Sequence, residues 1–387
     1  MKKFIQYLDH TANSQIQLEN DCIKILYHIN NNYYFHNIGS KECFIPASSS
    51  YVNWQKDHEI CIKSIDEPIK EKKYIDANIE SIDDIIKIIE TNPYDSNYDY
   101  NIDLKLIHNI YDELKKINNM TGLSNLKKSI VDQLLYFIQK LHIGNDADSD
   151  FKHTVLSGPP GTGKTEIAKL LGLLYSKIGI LKNNTFQKVT RGDLIAGYLG
   201  QTAIKTQKVI EKSLGGVLFI DEAYSLADYS QNDSFSKECI DTICEALSDH
   251  KNDLMVIIAG YEDELNETFF KVNKGLESRF IWRFKMDAYS AIELKDIFVK
   301  KIIENNWSFE NDIPENWFDK KIKIFTHYGR DMEALFTYTK IAHGRRIYGK
   351  SDDIRKKISI DDLEGGYEIF LKNKKIKRES FLHNMYV

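Results

Sequence analysis

One short segment constrains this chain more than any other. Gly158-Pro159-Pro160-Gly161-Thr162-Gly163-Lys164-Thr165 satisfies the pattern G-x-x-x-x-G-K-[ST] without deviation. It stands between the apolar run His153–Ser157 and a segment carrying Ile167, Leu170, Leu171 and Leu174 at helical spacing. The order is therefore strand, glycine loop, helix. The glycines allow backbone N–H groups to close around an anion that side chains would otherwise block. The helix N-terminus adds unpaired donors and partial positive charge. Residues 158–165 read as a polyphosphate cradle in which Lys164 supplies a cation and the Thr165 hydroxyl a ligand for Mg2+.

A second segment fits the first. Val217-Leu218-Phe219-Ile220 is wholly apolar, as a central parallel strand must be, and it ends in Asp221-Glu222. Carboxylates at the C-terminal edge of such a sheet face the ligand crevice. Asp221 is placed to hold Mg2+ directly or through water, and Glu222 to polarise an attacking water. An acidic pair here marks hydrolysis rather than binding alone.

Around these segments, short apolar strands alternate with amphipathic helices. The strands are His153–Ser157, Phe186–Thr190, Val217–Ile220, Leu254–Ala259 and Ile281–Met286. Alternation of this kind predicts an α/β core with a parallel five-stranded sheet covered by helices on both faces. Beyond residue 289 no further strand pattern is clear. Ile292–Ile303 and Asp331–His343 follow helical periods, and Ser359 is the N-cap candidate of a last helix. This predicts an α-helical lid domain with a basic tail over 289–387, after a nucleotide-binding domain over 119–288. Upstream, Ile79, Ile82, Ile85, Ile86 and Ile89 predict a helix over 79–90, ended by Asn92-Pro93. A polar linker, Asp95–Asn101, precedes a second helix over Leu104–Ile117. These form a helical linker, 75–118. Residues 1–74 carry no chemical motif and read as a small N-terminal module of unassigned, α+β type fold, with loops at Asn30–Asn32 and Ser48–Ser50.

Composition excludes several classes. Of 387 residues, 42% are apolar, enough for a sizeable core without metal or disulfide staples. Charged residues of both signs make up 28%, with a net charge of -5, which argues against a protein that holds nucleic acid mainly through its phosphates. The cysteines are Cys22, Cys43, Cys61, Cys239 and Cys244, with no CxxC pair, so they read as buried thiols in a reducing compartment. His58 lies close to Cys61, but the two alone do not make a metal site. Met1–Ile5 begins like a signal peptide, but Gln6, Asp9 and His10 break it. No apolar run approaches the ~20 residues of a membrane helix. The expectation is a soluble intracellular protein that does not engage membrane.

These residues resemble the AAA+ superfamily of P-loop NTPases. Three stretches sharpen the likeness to the CbxX/CfqX family, which includes red-type rubisco activases and sporulation ATPases: Asp193–Thr202, Gly215–Leu226 and Ile258–Tyr261. The likeness covers about residues 119–345. The text from Asn101-Ile102-Asp103-Leu104 to Gly122-Leu123 is also similar to versions carried by large DNA viruses, which would place the protein in a host cell. The resemblance implies ATP and Mg2+ as cofactors, Mg-dependent ATP hydrolysis, and a ring, usually a homo-hexamer, with each ATP at a subunit boundary. It implies that Arg279, with Arg283 as second choice, reaches the γ-phosphate of the neighbouring subunit. Arg330 matches the lid arginine that senses nucleotide within its own subunit. Gly122-Leu123 resembles the segment that packs near adenine. One departure stands out: many AAA+ proteins place an asparagine where this chain reads Ala259-Gly260-Tyr261.

Two functions remain open at this point. The first is a chaperone-like ring ATPase that remodels protein clients through an aromatic pore loop, Tyr198, Leu199 and Gly200. The second is a nucleotide-dependent nucleic-acid remodeller or loader, supported only by the basic tail Lys372–Arg378.

Overall fold

The computed structural model describes the backbone of residues 15–19, 22–29, 32–38 and 44–46. It describes residues 70–143, 150–198, 200–227 and 234–374 in full, and the backbone of 375–385. The chain divides into two units, Met1–Lys73 with Asn97–Asp99, and Tyr74–Ser96 with Tyr100–Val387.

In the first unit, β1 (Gln15–Glu19), β2 (Cys22–Ile29), β3 (Asn32–Ile38) and β4 (Phe44–Pro46) form an antiparallel sheet in sequential order. Asn32, expected in a loop, instead opens β3 opposite Ile29. Met1–Ile5, Cys43, Ser48–Ser50, His58 and Cys61 lie outside the described residues. The stretch read as a plain polar linker contains β6 (Tyr98–Tyr100), which pairs with β5 (Glu71–Lys73).

The second unit begins with α1 (Ile82–Thr91). Ser81 and Asp84 form a reciprocal capping box there, satisfying donors that the first helical turn leaves unpaired. The helix expected over Leu104–Ile117 is two helices, α2 (Leu104–Asn109) and α3 (Tyr111–Asn118). They break at Ile110, whose N–H bonds back three residues to Ile107. Ile107, Ile110, Leu114 and Ile117, spaced three and four apart, all enter the core, so the two helices keep the apolar face that one continuous helix would present.

After α4 (Ser124–Ile138) comes the sheet. Its strands are β7 (Thr154–Ser157), β8 (Phe186–Val189), β9 (Val217–Ile220), β10 (Met255–Gly260) and β11 (Trp282–Lys285), all parallel in the order β11-β7-β10-β9-β8. Successive side chains of a strand point to opposite faces, and the two cores obey this. Val217, Phe219, Met255, Ile257 and Ala259 enter one core; Leu218, Ile220, Val256 and Ile258 enter the other. The first face carries α5 (Lys164–Lys177), and the second carries α7 (Thr202–Ser213) and α8 (Ser234–Asp249). The short α6 (Arg191–Leu194) precedes α7. Cys239 and Cys244 of α8 are buried free thiols.

His153 lies just before β7. It is fully buried, accepting from the Val256 N–H at Nδ1 and facing the Leu247 carbonyl through Nε2. Burial pushes its pKa down to about 3, so the ring is neutral.

The short helices α9 (Glu262–Glu267), α10 (Phe269–Val272) and α11 (Gly275–Arg279) connect β10 to β11. After β11 comes a helical lid built on α12 (Ala291–Glu304), α14 (Tyr328–Ile347) and α15 (Ile360–Met385), with the short α13 (Asn316–Asp319) between α12 and α14. The lid is not purely helical. β12 (Ser308–Phe309) pairs in parallel with β13 (Lys357–Ile358), too short a pairing to leave a periodic signal in the sequence. Ser359 caps α15, accepting from the Asp362 N–H. Among the described residues no helix is long and apolar enough to cross a membrane.

The α14–α15 contact depends on a glycine. A Cβ at Gly366 would lie 2.5 Å from the Thr339 backbone nitrogen and 2.6 Å from its Cα. Gly344, on α14, meets nothing within 4 Å. Gly366→Ala should therefore destabilise the protein by about 1–3 kcal/mol through overpacking. Gly344→Ala should stabilise it by about 0.4–1 kcal/mol by restricting the unfolded chain. Thermal melting of the two variants checks this, and shifts of the same sign would contradict the close α14–α15 approach at Gly366.

Candidate functional site

The parallel sheet delivers its C-terminal strand ends to one edge, and the residues singled out from the sequence meet there. Residues 158–163 leave β7 and enter α5. The Gly158 N–H donates to the Gly260 carbonyl at the end of β10, 3.1 Å away. Glycine is required at two positions by close approach. A Cβ at Gly158 would lie 2.4 Å from the Met286 carbonyl oxygen, and one at Gly161 would lie 2.0 Å from that of His327. Gly161 also has a φ of 77°, a region that favours glycine.

The lid closes the other side. The Gly329 N–H donates to the Gly161 carbonyl at 3.0 Å, so the start of α14 is hydrogen-bonded to the glycine loop. The Tyr289 hydroxyl donates to the Thr162 carbonyl at 3.0 Å. Between loop, sheet edge and lid lies a cavity of about 800 Å³. Lys164, Thr165, Asp221, Glu222, Tyr261 and Arg330 all line it.

The charges are unevenly matched. Lys164 turns its ammonium onto the carbonyls of Gly158 and Pro159, at 2.7 and 2.8 Å. Burial lowers its pKa to about 8, helped by the nearby Arg330 and opposed by Asp221 and Glu222. Asp221 is paired with Lys188 of β8 at 2.6 Å. Glu222 is exposed and has a φ of 54°, a left-handed backbone uncommon for a non-glycine residue. Tyr224 lies against Gly260, where a Cβ would be 2.9 Å from the ring, and its ring is 5.8 Å from that of Tyr261. Burial and the Glu222 carboxylate push the Tyr224 phenol up to about 12, so it is a neutral hydrogen-bond donor.

Other residues singled out from the sequence stand away from the cavity. Arg279 donates from Nε to the Ser248 hydroxyl at 2.8 Å and from Nη1 to the Gly275 carbonyl at 2.7 Å. Arg283 is exposed, its guanidinium 4.5 Å from the centre of the Phe270 ring. Tyr198 is 75% exposed, and Gly200 has a φ of 74°. Leu199 and the side chains of 375–378 lie outside the described residues.

Lys188, Tyr224 and Tyr289 were missed from the sequence. Lys188 reaches Asp221 because β8 pairs with β9 in a register that sets Lys188 beside Phe219, on the face that Asp221 continues. Once the two strands are aligned in parallel, the alternation rule would have found it.

A wholly parallel sheet with a glycine loop, an acidic strand end and a helical lid around one cavity is the build of a P-loop ATPase. Residues 154–283 match the family model described as "ATPase family associated with various cellular activities (AAA)". A cfxQ-like protein of Acanthamoeba polyphaga mimivirus is 34% identical over 348 residues, 89% of this chain and 84% of that protein. The chain therefore belongs to the AAA ATPases, in their cfxQ-like group, and it binds nucleotide and hydrolyses ATP. Stage V sporulation protein K of Bacillus subtilis is 35% identical over 53% of this chain and 64% of its own length. The ESX-1 secretion system protein EccA1 of Mycobacterium tuberculosis is 41% identical over 53% of this chain, a match spanning 36% of EccA1. Among solved structures, the AAA domain of FIGL-1 in complex with ADP superposes with a TM-score of 0.47 at 21% identity, over 65% of this chain and 83% of that one.

The Lys164 environment has a measurable signature. Its pKa of about 8 lies below the ordinary 10.5, so the unfolded chain binds more protons between those values. Stability should rise with pH across that window, and Lys164→Met should flatten the rise. Competitive acetylation read by mass spectrometry should find Lys164 titrating near pH 8 in the nucleotide-free protein. Asp221→Asn should lower that midpoint, because the carboxylate favours the ammonium form. A midpoint near 10.5 would contradict the burial described.

Proposed function

We propose that this ATPase works as a ring, usually a hexamer, that remodels protein clients through the loop bearing Tyr198. The observation that carries the proposal is the form of that loop. Its base is tied down: the Ala196 N–H donates to the Thr202 hydroxyl at 3.2 Å, and the Lys205 ammonium donates to the carbonyls of Gly192 and Ile195. Its tip is bare: nothing lies within 4 Å of a Cβ built at Gly197 or Gly200, and Tyr198 is 75% exposed. A large aromatic ring on a free tip over a fixed base suits gripping a peptide by apolar contact without reading its sequence.

The nucleotide roles follow from the cavity. The backbone N–H groups of residues 158–165 and the Lys164 ammonium would hold the phosphates, which gives Lys164 a better partner than two carbonyls. The Thr165 hydroxyl and the Asp221 carboxylate are hard oxygen donors in the same cavity, and they fit Mg2+, which takes one or two protein ligands plus phosphate oxygens. Bound there, Mg2+ would neutralise charge on the phosphates. Glu222 would orient and polarise water, and Arg330 would face the γ-phosphate from the lid. Arg279, held outside the cavity of its own chain, would serve the cavity of a neighbouring subunit. The chain itself carries this arginine, so assembly would complete the site.

Mixing subunits tests the shared site. Lys164→Ala and Arg279→Ala proteins, each inactive alone, should regain ATPase when combined, because some boundaries then carry both intact halves. An arginine supplied across a boundary is worth ~10³-fold or more. Mixed assemblies verified by native mass spectrometry that stay inactive would count against a shared site.

Tyr198→Ala tests the pulling role. It should leave nucleotide binding and melting temperature nearly unchanged and abolish the rise in ATPase caused by an unfolded test protein. Glu222→Gln, run beside it, should bind ATP but turn over at least ~10²-fold more slowly. Stimulation of Tyr198→Ala by the unfolded protein at the wild-type level would reject the pulling loop. Stimulation of the wild type by DNA alone would favour the nucleic-acid reading instead.

A further inference from the structure

The lid touches the glycine loop through one turn, residues 324–331, and that turn is held from behind by the C-terminal helix. Lys374 of α15 donates its ammonium to the Ile324 carbonyl, to the Thr326 hydroxyl at 3.1 Å and to the Asp331 carboxylate at 3.3 Å. Asp331 is 8% exposed, and it also accepts from the His327 N–H at 2.9 Å. Its Oδ2 therefore joins Lys374 to the backbone that enters α14. On the opposite side of the same turn, the Gly329 N–H donates to the Gly161 carbonyl, and the His327 carbonyl fills the space left by the missing Cβ of Gly161. Arg330, which lines the nucleotide cavity, lies between these two attachments.

We infer that Lys374 is a positioning residue for the nucleotide site. It holds the turn carrying Arg330 against the phosphate loop, so α15 sets nucleotide affinity without touching nucleotide. The inference rests on Arg330 facing the nucleotide. The chemistry favours a specific role over a general surface ion pair. A solvated Lys–carboxylate pair contributes little. Lys374 instead satisfies a backbone carbonyl, a hydroxyl and a mostly buried carboxylate together, and hydrogen bonds to charged groups are the stronger ones. Without the ammonium, the Ile324 carbonyl and Asp331 lose a common donor, and nothing else described links α15 to this turn by a charged group.

The experiment measures ADP and non-hydrolysable ATP analogue affinity by calorimetry in the full chain, for Lys374→Met, Lys374→Arg, Arg330→Ala and the double variant Lys374→Met/Arg330→Ala. Lys374→Met should weaken binding of the ATP analogue about tenfold, the size expected for loss of a charge-assisted bond. Lys374→Arg should restore most of it, because a guanidinium offers several donors. In the Arg330→Ala background, Lys374→Met should add almost nothing, since the two substitutions remove the same interaction. Melting curves ensure that all variants are folded at the temperature used. Wild-type affinity in folded Lys374→Met overturns the inference, as does an undiminished tenfold loss in the Arg330→Ala background. Unchanged affinity in Arg330→Ala alone overturns the reading of Arg330 first, and the inference with it.

Discussion

A parallel sheet buried on both faces sends every strand in the same direction, so the loops leaving β7, β9 and β10 emerge along one edge. The site depends on that constraint. The hydrogen bond from the Gly158 N–H to the Gly260 carbonyl joins two of these exits directly. With the strands fixed by their apolar ladders, the backbone after β7 has room to curl only where side chains are missing. Gly158 faces the Met286 carbonyl and Gly161 faces that of His327 at distances that no Cβ could occupy. The glycines thus serve two surfaces at once, leaving the amides clear on one side and admitting the Met286 backbone and the lid turn at His327 on the other.

The electrostatics of the cavity follow from this enclosure. Burial disfavours the Lys164 ammonium, which turns to two carbonyls of its own loop. Asp221 is held by Lys188 from the neighbouring strand. Both charges are therefore engaged with protein partners in the chain by itself, and a polyphosphate with its metal would exchange those partners for its own. Tyr224 and Tyr261 add two neutral phenols beside Glu222, in the region where many AAA+ proteins have an asparagine.

The lid is coupled to this chemistry by backbone contact rather than by a long side chain alone. Gly329, His327 and Tyr289 all bond or abut the glycine loop. The attachment has a second anchor in Lys374, at the far end of the chain. Tyr198 lies outside this network, exposed on a loop whose base is held by hydrogen bonds.

Much of this was legible in the sequence because it is written in local patterns. The glycine loop, the acidic pair and the five strands each depend on residues adjacent in the chain, where spacing and alternation carry the physics. Strand limits differed from the structure by only a residue or so, as at His153 and Gly260. Other features needed the tertiary structure. The break at Ile110 leaves Ile107, Ile110, Leu114 and Ile117 at helical spacing, so a periodic count reads a continuous helix straight through it. The β12–β13 pairing is two residues long and has no period to detect. Lys188 meets Asp221, Gly329 meets Gly161, and Lys374 meets Asp331 because strands and helices distant in sequence pack together. Composition and spacing thus determined which backbone could cradle a phosphate and where carboxylates would face it. Packing alone decided which side chains hold those groups, because that depends on register and close approach between segments that the chain order does not bring together.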